Sequence, residues 1–410
     1  MSLCETPSRI EPAYFEDDVP RVLADLVADL QTEAHDLGND LHAIPAEELA
    51  ELVRLMNCYY SNLIEGHATR PRDIERALAD QPVDPERRPL AQEARAHVLV
   101  QREIDALHRD GRLPSPTSIA FLSWVHRRFY EEMPPEFRTV RMPDGSDRPI
   151  VPGAFRSTAG DDVEVGRHRP PSSDRVGDFM TYFERRYGMA RGGSTRIIAI
   201  AAAHHRLNYV HPFIDGNGRV SRLMSHAMAL DAGIGGHGLW SLSRGLARGL
   251  RDRNEYKSMM DMADSPRRGD RDGRGNLSQE ALRDFCAWTL TVMIDQVRFT
   301  KAAFRLDALE GRYRRLLRDL GHDARAEDLV AAVLKVGEME RGQARIYLAT
   351  SDRTARNVLS KLVSEGFLKS GTPKGPVRVA FPLDYRERLF PNLFTDAPIE
   401  VPKPPPFRIP

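Results

Sequence analysis

Apolar residues recur at three- and four-residue steps along most of the chain, which predicts helices with one buried face. Leu23, Leu26, Val27 and Leu30 stripe one such face, and Leu49, Leu52, Val53 and Met56 another. The second helix opens near Pro45 and stops at Gly66, a residue suited to the left-handed turn that ends helices. Further helices are expected over 174–187, over 196–209 and from Arg219 to just before Gly233, with one or two more between Leu277 and Leu309. The pattern lapses between about 142 and 173, where Gly and Pro are frequent; the β-like piece 162–166 predicts a small hairpin there. The segment SPRRGDRDGRGN, 265–276, reads as an exposed loop.

After about residue 320 the pattern changes. Three short helices, AEDLVAAVLKVG, RGQARIYLAT and SDRTARNVLSKLVSEG, precede two short strands in FLKSGTPKGPVRVAF. The third helix has Ser351 or Asp352 as its N-cap and Gly366 as its stop. Three helices followed by a β-hairpin predict a winged helix-turn-helix over 320–388. The last fifteen residues, 396–410, hold six prolines and are expected to form an extended tail.

The length of 410 residues allows two or three domains. Lys plus Arg equals Asp plus Glu at 59 each, which excludes a histone-like chain but not a local basic patch. Cys4, Cys58 and Cys286 lie far apart, so neither a disulfide framework nor a thiolate zinc site is expected. The N-terminus lacks the charged and apolar regions of a secretory signal, and the longest apolar run, IIAIAAA, is far short of the roughly 20 residues needed to span a bilayer. A cytoplasmic protein without membrane contact is the expectation.

One stretch stands out chemically: HPFIDGNGRVSR, His211 to Arg222. An apolar helix delivers His211 at its end. Gly216, Asn217 and Gly218 then permit a backbone nest whose N–H groups turn toward an anion, and the helix that starts there adds its own N-terminal field. Arg219 and Arg222 stand three apart and project from one face as a polyphosphate cradle. Asp215 is a carboxylate inside that positive site, suited to Mg²⁺. His211 is a candidate general base. The chemistry so described is attack of a hydroxyl on a nucleotide phosphorus. Phe213 reads as a buried anchor for the loop.

The stretch resembles the signature HxFx(D/E)GNGRxxR of the Fic family at every defined position. The resemblance implies a mainly all-α protein: a Fic-type helical core over 111–305 with a small β-hairpin flap, preceded by a helical region over 1–110. It implies a nucleotidyltransferase that moves AMP from ATP to a Ser, Thr or Tyr hydroxyl of a protein, itself included. His211 is then the base and Asp215 the Mg²⁺ ligand. Gly216, Asn217, Gly218, Arg219 and Arg222 bind the ATP phosphates. Gly218 matches the nucleotidyl-transferring branch, because relatives that transfer a terminal phosphate tend to carry Lys there. VPGAFRST, 151–158, resembles the GxFR segment before the target-aligning flap, and 163–171 would supply the flap. LWSLSRGL and NEYKSMM resemble the adenine-side region, where Tyr256 would bind ATP by stacking on the base, although a single aromatic on a helix reads almost as well as core.

Ser61 and Glu65, in SNLIEG, share a face at a helix end. From pattern alone Glu65 reads as a solvated glutamate, poorly placed against the helix dipole. The resemblance reverses that, since SNLIEG is similar to the inhibitory motif (S/T)xxxE(G/N) of self-restrained relatives. There the glutamate pairs with the second motif arginine, here Arg222, and takes the room of a productive γ-phosphate. In some relatives such a glutamate also serves removal of AMP from modified proteins.

The C-terminal unit adds a second expectation. Ser351 to Arg378 carries Arg353, Arg356, Lys361, Lys369, Lys374 and Arg378 against two acids. Arg353, Thr354, Arg356 and Asn357 open the third helix, where a winged helix would meet phosphates and base edges. The alternative function is accordingly a DNA-binding regulator with a sensory Fic core. A homodimer is compatible with either reading.

Overall fold

The computed structural model describes residues 5–394 apart from 17, 40, 143, 144 and 191. The proline-rich segment 396–410 lies outside the described residues. The helices α1 (Arg21–His35), α2 (Ala43–Ile64), α3 (Pro71–Leu78), α4 (Arg88–Arg109) and α5 (Ile119–Glu131) lead to a hairpin of β1 (Thr139–Arg141) and β2 (Asp147–Pro149). After an irregular stretch come α6 (Val176–Gly188), α7 (Gly193–Val210), α8 (Asn217–Asp231), α9 (Leu242–Arg248), α10 (Glu255–Ala263), α11 (Gln279–Phe304) and α12 (Leu306–Asp319).

α7 is the hub. Its run from Ile197 to Ala203 is buried on every side, and α1, α6, α8 and α11 pack around it. Small alanines allow those close approaches, while the absence of a polar face keeps this helix interior. Local chemistry sets several boundaries. Ser118 Oγ accepts from the Phe121 N–H at the start of α5, and Ser278 Oγ from Ala281 at the start of α11. Gly66 closes α2 at φ 86°. The region 277–309 resolves into α11 and α12, broken at Arg305, whose ψ of 123° leaves the helical region.

The antiparallel hairpin lies earlier than its expected place. β1 pairs with β2 in the register Thr139↔Pro149 and Arg141↔Asp147. The piece at 162–166 forms no strand, only an isolated bridge between Val165 and His168. Gly166 at φ 60° turns the chain tightly, and Pro170 and Pro171 lack the N–H groups that would extend a ladder.

The C-terminal unit contains α13 (Ala324–Val336), β3 (Glu338–Met339), α14 (Ala344–Tyr347), α15 (Asp352–Ser364), β4 (Leu368–Lys369), β5 (Val377–Val379) and α16 (Arg386–Leu389). The strand order is β3-β5-β4, all antiparallel, so a strand before α14 joins the two expected ones. Ser351, not Asp352, is the N-cap of α15, accepting from the Thr354 N–H at 3.3 Å. This unit rests on α2 and α3. Lys369 pairs with Glu48 at 2.5 Å, Arg386 with Glu75, Arg72 with Asp384, and Phe394 meets the Tyr59 ring edge-on at 5.6 Å.

Candidate active site

α7 ends in a left-handed residue, and that residue is His211, at φ 51° and ψ 60°. A side chain rarely adopts this conformation unless its surroundings impose it. Here Arg156 does so. Its buried guanidinium donates to the carbonyls of His211 (2.7 Å), Val210 (3.0 Å) and Pro171 (2.6 Å), and to Ser173 Oγ (2.9 Å). Its backbone N–H adds Pro212 O at 2.9 Å. Arg156 thus takes up carbonyls that the end of α7 leaves without helical partners, and it ties the segment at 151–158 to the loop.

The loop then folds on itself. Phe213 is fully buried and stacks on the His126 ring at 4.0 Å and 2°. The Asn217 amide brackets its backbone, accepting from Phe213 N–H at 2.9 Å and donating to Phe213 O at 2.8 Å. Asn217 therefore gives its side chain to loop shape, and only its backbone is left for an anion. Gly216 caps α8 at φ 82°, and a Cβ there would lie 3.0 Å from the Tyr130 hydroxyl. Glycine is required on both counts.

His211 itself is partly exposed, and a hydrogen bond to the Asn208 backbone engages its ring. Burial of the ring, followed by the charges of Arg156 and His168, pulls it down to about 4. At neutral pH it is uncharged and able to accept a proton. Asp215, with a side chain 44% exposed, receives the Tyr130 hydroxyl at 2.7 Å and has Arg219 at 3.7 Å. Burial pushes its carboxyl up, but Arg219, Tyr130 and the Gly216 backbone outweigh this and hold it below the usual range. One carboxylate beside a glycine turn fits Mg²⁺, which completes its shell with phosphate oxygens and water. Among the described residues there is no group of three or more His, Cys, Asp or Glu placed to hold a metal.

The two arginines face carboxylates. Arg222 donates through Nε to Ser61 Oγ (2.8 Å) and through Nη2 to Ser61 O (3.2 Å) and Glu65 Oε1 (2.5 Å). Glu65 terminates α2, so the structure brings the SNLIEG segment onto α8. Burial raises the Glu65 carboxyl, but Arg222 and then Arg219 more than reverse this and keep it ionised. A Cβ on Gly218 would come within 2.3 Å of Glu65 Oε1, so the contact needs glycine at 218. Arg219 donates through Nε to Glu93 Oε1 at 3.0 Å, with Nη2 at 2.7 Å from the same oxygen, and lies over the Phe129 ring. In this arrangement it is turned to protein carboxylates rather than to a phosphate site.

Tyr256 is buried rather than presented as an open platform for a base. Its ring lies along Trp288 (18° between planes), and its hydroxyl meets His204 Nε2 at 2.8 Å and hydrogen-bonds Arg222. Burial of an aromatic ring with its polar tip satisfied is the core arrangement. On α15, Arg353, Arg356, Asn357 and Lys361 are exposed and Thr354 is half-buried. Lys374 is exposed, whereas Lys369 and Arg378 are spent on Glu48 and Glu338.

His126, Tyr130, Glu93 and the role of Arg156 are not apparent from local sequence. They come from α4, α5 and an irregular segment, and each acts through the fold. The only local signal was the arginine in VPGAFRST, a charged residue amid glycine and apolar neighbours.

Residues 116–229 match the model of the Fic/DOC family. That segment of the chain is a Fic domain. The chain is similar to curated relatives in flies. The proteins named protein adenylyltransferase Fic from Drosophila grimshawi and Drosophila ananassae are each 41% identical over 86 residues, 21% of this chain and 17% of theirs. The chain thus spans less than a fifth of the length of these relatives. Among solved structures, a Fic family protein from Desulfovibrio desulfuricans G20 aligns over 89% of this chain and 98% of its own, at 16% identity and a TM-score of 0.49. Among the described residues, no helix is long and apolar enough to cross a membrane.

Proposed function

We propose that the protein is an adenylyltransferase that moves AMP from ATP to a hydroxyl side chain of a protein, and that Glu65 restrains it. The observation that carries this reading is the loop from His211 to Arg222. It joins an imidazole uncharged at neutral pH, a glycine turn at a helix N-terminus and an ionised carboxylate in one short stretch. In the reaction, the target oxygen forms a bond to the α-phosphorus while the bond from that phosphorus to the bridging oxygen breaks and pyrophosphate leaves. His211 takes the hydroxyl proton and returns it to solvent. Backbone N–H groups at 216–218 and the start of α8 stabilise charge on the phosphates. Asp215 would hold Mg²⁺, whose charge offsets that of the phosphates when bound.

Glu65 opposes this by occupying Arg222. A γ-phosphate and a carboxylate compete for the same fork of donors. The motif similarity and the curated names support transfer of AMP; the ion pair supports restraint.

The test is incubation of purified wild type, Glu65→Gly and His211→Ala with labelled ATP and Mg²⁺, followed by intact mass. Glu65→Gly is expected to gain AMP on itself or an added protein about 100-fold faster than wild type, the scale set by misplacing a reacting group by about 1 Å. His211→Ala should gain none. Equal labelling of wild type and Glu65→Gly would remove the restraint, and absence of labelling in all three would remove the activity.

The C-terminal unit, in which α13, α14 and α15 accompany a three-stranded antiparallel sheet, we read as a winged helix-turn-helix. Its contacts with α2 and α3 support a part in positioning the helix that carries Glu65.

A further inference from the structure

Two arginines, one turn apart on α8, each meet a carboxylate that comes from outside the matched family segment. Arg222 meets Glu65, and Arg219 meets Glu93 in the second turn of α4. The second pair is enclosed on both sides, each side chain being 8% exposed, whereas in the first Glu65 is 33% exposed. A buried guanidinium shared between Glu93 and Asp215 has its charge satisfied within the protein. Phosphate oxygens must compete with those carboxylates for its donors.

Glu93 has one more partner. The same Oε1 that receives Arg219 lies 3.2 Å from His67 Nδ1. His67 stands two residues beyond Glu65, in the turn that closes α2. There its N–H returns to Asn62 O at 2.9 Å, and Gly66 provides the positive φ. One oxygen therefore links α8, α4 and the turn bearing Glu65. Glu93 raises the His67 imidazole above its ordinary value, which strengthens the link while the ring is protonated.

We propose that Glu93 is the second carboxylate of the restraint: it withholds Arg219 from the nucleotide phosphates, and through His67 it holds the closing turn of α2 so that Glu65 stays on Arg222. The proposal rests on the reading of Glu65 as a restraint and extends it to the other motif arginine. It divides the effect of Glu93 into two arms, which two variants separate. Glu93→Gln weakens both arms while keeping the volume. His67→Ala cuts only the arm to the Glu65 turn, at a side chain 37% exposed, where folding is little threatened.

Transfer of AMP is measured for each variant alone and combined with Glu65→Gly, with KM for ATP and kcat determined separately. Glu93→Gln is expected to raise the rate alone and again in the Glu65→Gly background, by about tenfold, seen mainly in KM because Arg219 becomes available to ground-state phosphate. His67→Ala is expected to raise the wild-type rate severalfold and to add nothing to Glu65→Gly, since its path runs through Glu65. A fall in the Glu65→Gly rate on adding Glu93→Gln would overturn the proposal, making Glu93 a support of the active geometry; an unchanged rate would do the same. If Glu93→Gln does not fold, His67→Ala decides alone, and an unchanged wild-type rate defeats the proposal. Should Glu65→Gly be no faster than wild type while Glu93→Gln is, the reading of Glu65 falls and that of Arg219 stands.

Discussion

The loop from His211 to Arg222 and the helix α15 are both short, polar and rich in arginine, yet the fold treats them in opposite ways. In the loop the arginines turn inward. Arg222 is 1% exposed and Arg219 8%, and each has a carboxylate at bonding distance. On α15 the inward positions are Ala355, Leu359 and Leu362, while Arg353, Arg356 and Lys361 stand in solvent. Removing a charge from water is costly unless a partner offsets the loss. Where a chain bears that cost repeatedly within one turn, chemistry is a better explanation than solubility. Where it leaves arginines in water, their number alone says little.

The contrast breaks most visibly if the support behind the loop is removed. Arg156→Leu deletes the donors that hold the carbonyls of Val210, His211 and Pro171. In the Glu65→Gly background this is expected to lower transfer by about 100-fold or more, because the left-handed backbone of His211 loses its restraint and the imidazole moves. Hydrogen bonds to charged groups are worth about 1.5–3 kcal/mol each, so the melting temperature should fall by several degrees as well. Retention of most of the rate would show that the loop keeps its own shape and that Arg156 is dispensable.

A smaller effect, of the opposite sign, is expected at Gly218. A methyl group there would meet Glu65 Oε1 at 2.3 Å and Arg222 Nη1 at 2.9 Å. The carboxylate must shift, so Gly218→Ala should speed the restrained protein by about tenfold, corresponding to roughly 1.4 kcal/mol of lost restraint. It should give no gain in Glu65→Gly, where the carboxylate that the methyl group would displace is already gone. Steady-state transfer rates of the two pairs check this. A gain in both backgrounds would mean that residue 218 acts on the nucleotide directly.

The sequence revealed the loop well because its requirements are local. A left-handed glycine, an N-terminal turn and two arginines three apart are all written within twelve residues. Most helices were legible for the same reason, through periodicity and stops such as Gly66 and Gly366. The hairpin was misplaced because 162–166 has strand-like residues but no partner free to pair, whereas 139–149 has both sides of a ladder. Glu93 and Tyr130 were invisible because their roles depend on α4 and α5 packing against α8, contacts that no spacing encodes. Tyr256 illustrates the limit from the other side: a lone aromatic on a helix fits a base slot or a core equally, and only the fold shows its ring lying along Trp288.

Acidity gives a finer test of the loop. A group whose folded value lies below its unfolded one is disfavoured in its protonated form, so His211, held at about 4, stays uncharged well below neutrality. Transfer by Glu65→Gly at pH 5.5 should therefore stay within about twofold of its value at pH 7.5. An ordinary imidazole near 6.5 would be roughly nine-tenths protonated at pH 5.5 and lose about tenfold. His97 and His204, each lowered to about 3 by burial, follow the same sign for stability: the unfolded chain binds their protons first. The melting temperature should accordingly decline as pH falls from 6.5 toward 4.

The least effect is expected from α15. Replacing Arg353 and Arg356 together by alanine removes two exposed charges and no buried contact, and such surface changes usually alter stability by less than about 0.5 kcal/mol. The transfer rate should change by less than about twofold, since the unit grips α2 and α3 through Lys369 and Arg386 on other elements. The same variant can be titrated with duplex DNA at two salt concentrations, where phosphate contacts would show as a salt-dependent affinity that the substitutions weaken. If the rate instead rises markedly without DNA, then the exposed face of α15 is coupled to the helix that carries Glu65. The route would have to be mechanical, from α15 through β4 and Lys369 to Glu48, because no charge on α15 is buried near the site. In that case exposure would not separate the two regions, and the arginines in water would belong to the same device as those in the loop.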